Sequence, residues 1–169
     1  AILAILMLRL AIHQLPPKEL AMSHWLTLGP IGTGALALLV LGEQAPRILA
    51  FWGMQGLGET LFNIGIAASL ILFGFGLWWI GIALYTTLKH VETGLSFNLG
   101  WWALTFPLGV FTCAILKFAQ LIPLAFIQVI AYIFASILLM LWLMVAYKTI
   151  QGFYQGRLLF SPCLKVYLD

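Results

Sequence analysis

The stretch "FNLGWWALTFPLGVF", Phe97 to Phe111, decides how this chain is read. It is apolar enough to enter a bilayer, yet it carries Pro107 inside a helical run. Gly100 and Gly109 stand on either side of the proline, with Phe106, Trp101 and Trp102 close by. Proline removes one backbone hydrogen bond and bends a helix, so the freed carbonyl must face protein, water or a cavity rather than lipid. A helix under that constraint belongs inside a bundle.

The rest of the chain supports a membrane setting. Of 169 residues, 63% are hydrophobic and 8% charged, with a mean hydropathy of +1.08. A soluble domain carries about 25% charged residues, so the composition describes an integral membrane protein. The charged residues fall mostly between the apolar runs, where they wet loops while helices hide their own backbone from lipid. The net charge of +3 is spread along the chain without a basic cluster, which excludes a nucleic-acid partner. The two cysteines, Cys113 and Cys163, are far apart, and Cys113 lies within an apolar run. They indicate neither a disulfide nor a metal site.

A spanning helix needs about 20 apolar residues. Five candidate spans follow: Ala1–Leu15, closed by Pro16 and Pro17; Ala21–Leu41; Leu61–Leu88; Leu95–Phe118; and Leu124–Tyr154. Between the second and third, "GEQAPRILAFWGMQGLGE" suits a short interfacial segment. The chain opens in mid-helix without an initiator Met, as expected of the C-terminal part of something longer, with helices before residue 1. The second and fourth spans each carry a mid-helix proline flanked by glycine, in "LGPIGTG" and "TFPLG"; the third and fifth carry none. This alternation predicts helical hairpins whose proline-bearing members lie inside and whose others face lipid.

Lysine and arginine counts give the orientation. Lys18, Lys89, Arg157 and Lys165 follow the first, third and fifth spans, and Lys148 lies in the last turns of the fifth. Arg47, diluted by Glu43 and Glu59, is alone after the second, and Lys117 ends the fourth. The positive-inside rule then puts the C-terminus and the Pro16–Ser23 loop in the cytoplasm.

The individual motifs have ordinary rivals. Gly29, Gly32 and Gly34 in "GPIGTG" are not a nucleotide loop, because no strand precedes them and no Lys-Ser or Lys-Thr follows; close helix packing explains them. His13, His24 and His90 fall at span ends as interfacial polar residues and offer no matched pair for haem. On helical spacing Phe106, Cys113 and Lys117 share one face, while Phe111 points about 140° away from Phe106. Lys117 either snorkels to the nearby interface or lines a passage. Phe106, on composition alone, fills the space left by the kink.

The Phe97–Phe111 stretch resembles the ninth membrane helix of the tellurite-resistance/dicarboxylate transporter family. That family embraces plant slow anion channels, fungal malate permeases, fungal sulfite efflux pumps and bacterial tellurite-resistance proteins, within the voltage-dependent anion channel superfamily. "LPPKELAMSHWLTLGPIGTGALALLVLG", Leu15 to Gly42, is similar to its junction between the sixth and seventh helices. The resemblance implies an all-α integral membrane fold in which residues 1–169 form a single membrane domain. The five spans would be helices six to ten of a ten-helix, quasi-fivefold bundle of hairpins. It further implies a central pore lined by proline-kinked inner helices, homotrimeric assembly and cytoplasmic termini. Phe106 matches the phenylalanine that closes the pore, which tips its reading away from core filling.

The function expected is transport of small anions across the plasma or inner membrane by a multi-pass protein. Its helices would be kinked at Gly29, Pro30, Pro107 and Gly109, gated by Phe106, and lined near one end by Cys113 and Lys117. Malate and other C4-dicarboxylates, sulfite, tellurite and inorganic anions are all candidates. The alternatives are a proton-coupled dicarboxylate carrier and a non-transporting anchor subunit of a respiratory complex. No cofactor or metal is implied, and an enzyme is not expected, since the spans hold no carboxylate beside a nucleophile and no cluster of metal ligands.

Overall fold

The computed structural model describes residues 24–92, 97 and 99–156, and every regular element among them is helical. The order is α1 (Leu28–Ala50), α2 (Gln55–Glu92), a short 3-10 turn (Leu99–Trp101), α3 (Trp102–Leu121) and α4 (Ala125–Tyr154). All four α-helices are long and apolar enough to cross a membrane. The expected first span, Ala1–Leu15, lies outside the described residues, as do the Pro16–Ser23 loop, His13, Cys163 and Lys165. At 38 residues α2 is about 57 Å long, more than a hydrocarbon core of about 30 Å requires.

One segment departs from the sequence reading. The helix expected to end at Leu41 continues: α1 runs on through Glu43, Gln44, Pro46 and Arg47 to Ala50. Pro46 forfeits a bond to the preceding turn, but α2 supports that turn closely. A Cβ on Gly58 would lie 2.5 Å from the Cα of Pro46, so only glycine permits this approach. The reversal into α2 takes just four residues. Gly53, at φ 71°, lets the Met54 amide return 2.9 Å to the Leu49 carbonyl. Pro30 is likewise not at mid-helix. It follows a 3-10 turn over residues 24–27 and sits in the first turn of α1, where its missing N–H costs little. Pro107 does lie inside α3.

Lipid is as apolar as leucine, so helices in a membrane associate through close packing and polar contacts rather than hydrophobic burial. Glycines supply the packing here. A Cβ on Gly32 would fall 2.7 Å from the backbone nitrogen of Phe111, and one on Gly29 would lie 3.8 Å from the Pro107 ring. These residues bring α1 onto α3, as the small-residue reading of "GPIGTG" anticipates. Gly42 and Gly65 let α1 and α2 approach at Phe62 and at the Leu38 carbonyl.

Polar side chains add interhelical ties. Ser69 donates to the Ala35 carbonyl at 3.3 Å, Trp79 Nε1 to the His24 carbonyl at 2.8 Å, and Trp25 Nε1 to Thr87 Oγ1 at 3.0 Å. His24 is therefore buried against α2 rather than placed at a wetted edge. Trp102 Nε1 reaches Thr149 Oγ1 at 3.1 Å, and the Lys148 ammonium lies 5.5 Å from the Trp101 ring, joining the start of α3 to the end of α4.

Enclosure separates the helices into two kinds. Half of the apolar window of α1 and 44% of that of α3 are buried, against 28% for α2 and 11% for α4. Among the described residues, the helices carrying Pro30 and Pro107 are the enclosed ones.

Candidate functional site

Helix α3 is covered on every side but one. Leu104, Thr105, Pro107, Leu108, Phe111, Thr112, Ala114, Ile115, Phe118 and Ala119 are buried. Phe106, Cys113 and Gln120 are exposed, with Gly109, Val110, Leu116 and Lys117 half-buried between them. Seven residues make almost two turns, so these positions form one narrow stripe along the helix. Phe106, Cys113 and Lys117 thus share a face, as their spacing predicts.

Helix α1 has a stripe of its own, through Pro30, Thr33, Ala37, Val40, Gln44 and Arg47. The two stripes lie on the same side of the bundle, for a geometric reason. Gly29 meets Pro107, Gly32 meets Phe111 and Glu43 reaches Lys117, so α1 and α3 run parallel. On α1, Gly29 and Gly32 turn toward α3 while Ala35 and Gly42 turn toward α2. On α3, Pro107 faces α1, Gly109 faces Leu138 of α4, and the rings of Phe111 and Phe118 meet Phe73 of α2. The remaining arc of each helix, placed by its 100° per residue, points away from α2 in the same direction. The result is one continuous open face built from both enclosed helices.

That face has two chemically different ends. Near the helix starts it is apolar, with the Phe106 ring 70% exposed beside Pro107. Toward the helix ends it gains polar groups, Gln44, Arg47, Gln120 and an ion pair, beside the exposed Leu41 and Ile48. The Lys117 ammonium lies 2.7 Å from Glu43 Oε2, and the two side chains are 23% and 37% exposed. Lys117 is not a lone cation, because its charge is matched by a carboxylate from α1. The sequence reading missed Glu43, along with Thr33, Gln44, Arg47 and Gln120. Continuing the three-and-four spacing from Pro30 through Thr33 and Ala37 reaches Gln44, but the low hydropathy around Pro46 disguised the helix there.

Phe111 has the opposite environment. Its ring is fully buried, 5.8 Å from both Phe73 and Phe134, and it occupies the space that a side chain on Gly76 would need. Gly29 packs against Pro107, and Gly109 accommodates Leu138. Cys113 is a free thiol on the open face. Among the described residues no group of three His, Cys, Asp or Glu side chains is arranged to hold a metal.

Residues 1–150 match the voltage-dependent anion channel family. The chain belongs to that family. A sulfite efflux pump of Trichophyton rubrum is 34% identical over 151 residues, covering 88% of this chain and 40% of the pump. A sulfite efflux pump of Arthroderma otae matches to the same extent. An uncharacterized transporter of Methanocaldococcus jannaschii is 31% identical over 159 residues, covering 94% of this chain and 43% of the transporter. The chain therefore spans about two fifths of the length of these relatives. No solved structure gave a significant match. These relatives are named for transport, and the open face is the feature of the described residues that bears on such a role.

Proposed function

We propose that this chain supplies about half of an anion-conducting pore, with α1 and α3 as two of its inner helices. The observation that carries the reading is the shared open face: two otherwise enclosed helices expose aligned stripes in one direction, while α2 and α4 spread apolar surface elsewhere. In the full assembly the spans are helices six to ten of a quasi-fivefold bundle of ten, the stripes of five inner helices surround the path, and three such molecules associate. Small anions are the cargo. The names of the fungal relatives favour sulfite among them, and the chemistry is translocation rather than catalysis.

Phe106 is the plug. Its ring stands on the open face at the apolar end, where a hydrophobic constriction sets the barrier to a hydrated ion. Pro107 fixes the ring's position on the bend, with Gly29 packed behind it. With the C-terminus cytoplasmic, α1 and α3 run outward, and the polar end with Arg47, Lys117 and Gln120 opens to the outside of a plasma or inner membrane. Positive charge there admits anions, and its pairing with Glu43 keeps them from being held.

The test is anion flux from liposomes containing the natural protein and its Phe106→Ala variant. Removal of the ring raises flux several-fold when it is the plug. Unchanged flux from a correctly assembled variant rejects that role.

A further inference from the structure

We infer that Lys117 and Glu43 form an exchangeable oxyanion site, in which a permeating oxyanion docks on the Lys117 ammonium by displacing the Glu43 carboxylate. The inference rests on the reading of the open face as the transport path.

The geometry at the ammonium is already that of an oxyanion complex. A charge-assisted bond of 2.7 Å joins Lys117 Nζ to a carboxylate oxygen. The two partners come from the two helices that share the open face, and both retain exposure, so a solute on that face can reach them. The displaced carboxylate has a second place to go. Arg47 stands four residues beyond Glu43 on α1, the spacing that brings a glutamate and a following cation within reach on one helix surface. Glu43 thus alternates between Lys117 across the helix interface and Arg47 along its own helix.

This exchange answers a requirement that a lone lysine would not meet. An isolated ammonium partly withdrawn from water holds an anion tightly, whereas a path must release what it admits. A resident carboxylate competes for the same ammonium and returns when the anion leaves. The site favours oxyanions over halides. Gln44 and Gln120, exposed at the same end of the face, offer amide N–H groups to a second oxygen, and a halide has no second oxygen to present.

The experiment uses the natural protein in liposomes, with initial flux measured against concentration for sulfite and for chloride. Glu43→Gln removes the competitor and is expected to lower the half-saturating sulfite concentration about tenfold, with a smaller change for chloride. Lys117→Gln is expected to raise it by a similar factor. The double variant Glu43→Gln, Lys117→Gln keeps a neutral hydrogen-bonding pair across α1 and α3 and should conduct sulfite without saturating.

Wild-type half-saturation in both Glu43→Gln and the double variant overturns the inference and leaves the pair as a structural clamp. Should Glu43→Gln fail to assemble, the double variant, which has no unpaired charge, decides by the same criterion. Flux present with unmoved half-saturation removes this inference alone. No flux of either anion from the wild type removes the transport reading and the inference with it.

Discussion

Phe106 and Phe111 stand five residues apart on α3 and point into opposite surroundings: the first ring is 70% exposed on the open face, the second wholly buried between Phe73 and Phe134. Helical geometry separates them by about 140°. The bundle gives that angle its meaning, because three neighbouring helices cover every other side of α3. One ring anchors the helix that carries the other.

The two rings therefore respond differently to truncation. Phe111→Ala empties a closed slot among α2, α3 and α4 and is expected to cost about 3–5 kcal/mol, the usual range for a core phenylalanine. Phe106→Ala deletes a side chain with few neighbours and should leave the thermal midpoint in detergent near that of the wild type. Equal midpoints for the two variants would contradict the assignment of anchor and open-face ring.

Gly32 sets the distance between α1 and α3. Its Cβ position is 2.7 Å from backbone, which cannot move aside as a flexible side chain can. Gly32→Val should force the helices apart, lower the thermal midpoint by many degrees and break the Lys117–Glu43 contact. Gly74 has open space around its Cβ position. Gly74→Ala should be tolerated or should stabilise by up to about 1 kcal/mol through helix propensity. A tolerated Gly32→Val would show that the close approach is dispensable.

Cys113 reports whether the open face is wet. In a Cys163→Ser background, a charged methanethiosulfonate reagent should modify Cys113 and reduce anion flux, because only the thiolate formed in water reacts readily. A cysteine placed at Ile133, exposed on α4, should resist the same reagent if that helix faces lipid. Labelling of the Ile133→Cys site with Cys113 untouched would reverse the assignment of inner and outer helices.

Much of this was legible from local pattern. The apolar runs mark α2, α3 and α4 to within a few residues at most ends, because a spanning helix must satisfy its own backbone and declares itself by length. The exceptions are two starts: α2 begins at Gln55 rather than near Leu61, and α3 at Trp102, after a 3-10 turn from Leu99, rather than at Leu95. The common face of Phe106, Cys113 and Lys117 was also readable, since it depends only on helical periodicity. The end of α1 was not. Gly42 to Arg47 combines glycine and proline, which disfavour a helix, with charges, which disfavour a membrane span; it is held helical by α2 lying against Pro46 through Gly58.

The sequence by itself determined a membrane protein of apolar helices, the kinship to anion channels and transporters, and the side of α3 on which its exposed residues lie. These follow from composition, motif and the fixed turn of a helix, all of which act along the chain. Only the tertiary structure decided that Lys117 has a partner in Glu43 and that the stripes of α1 and α3 open in one direction. Those facts depend on how closely two distant segments approach at Gly32, a contact between helices that no local pattern records.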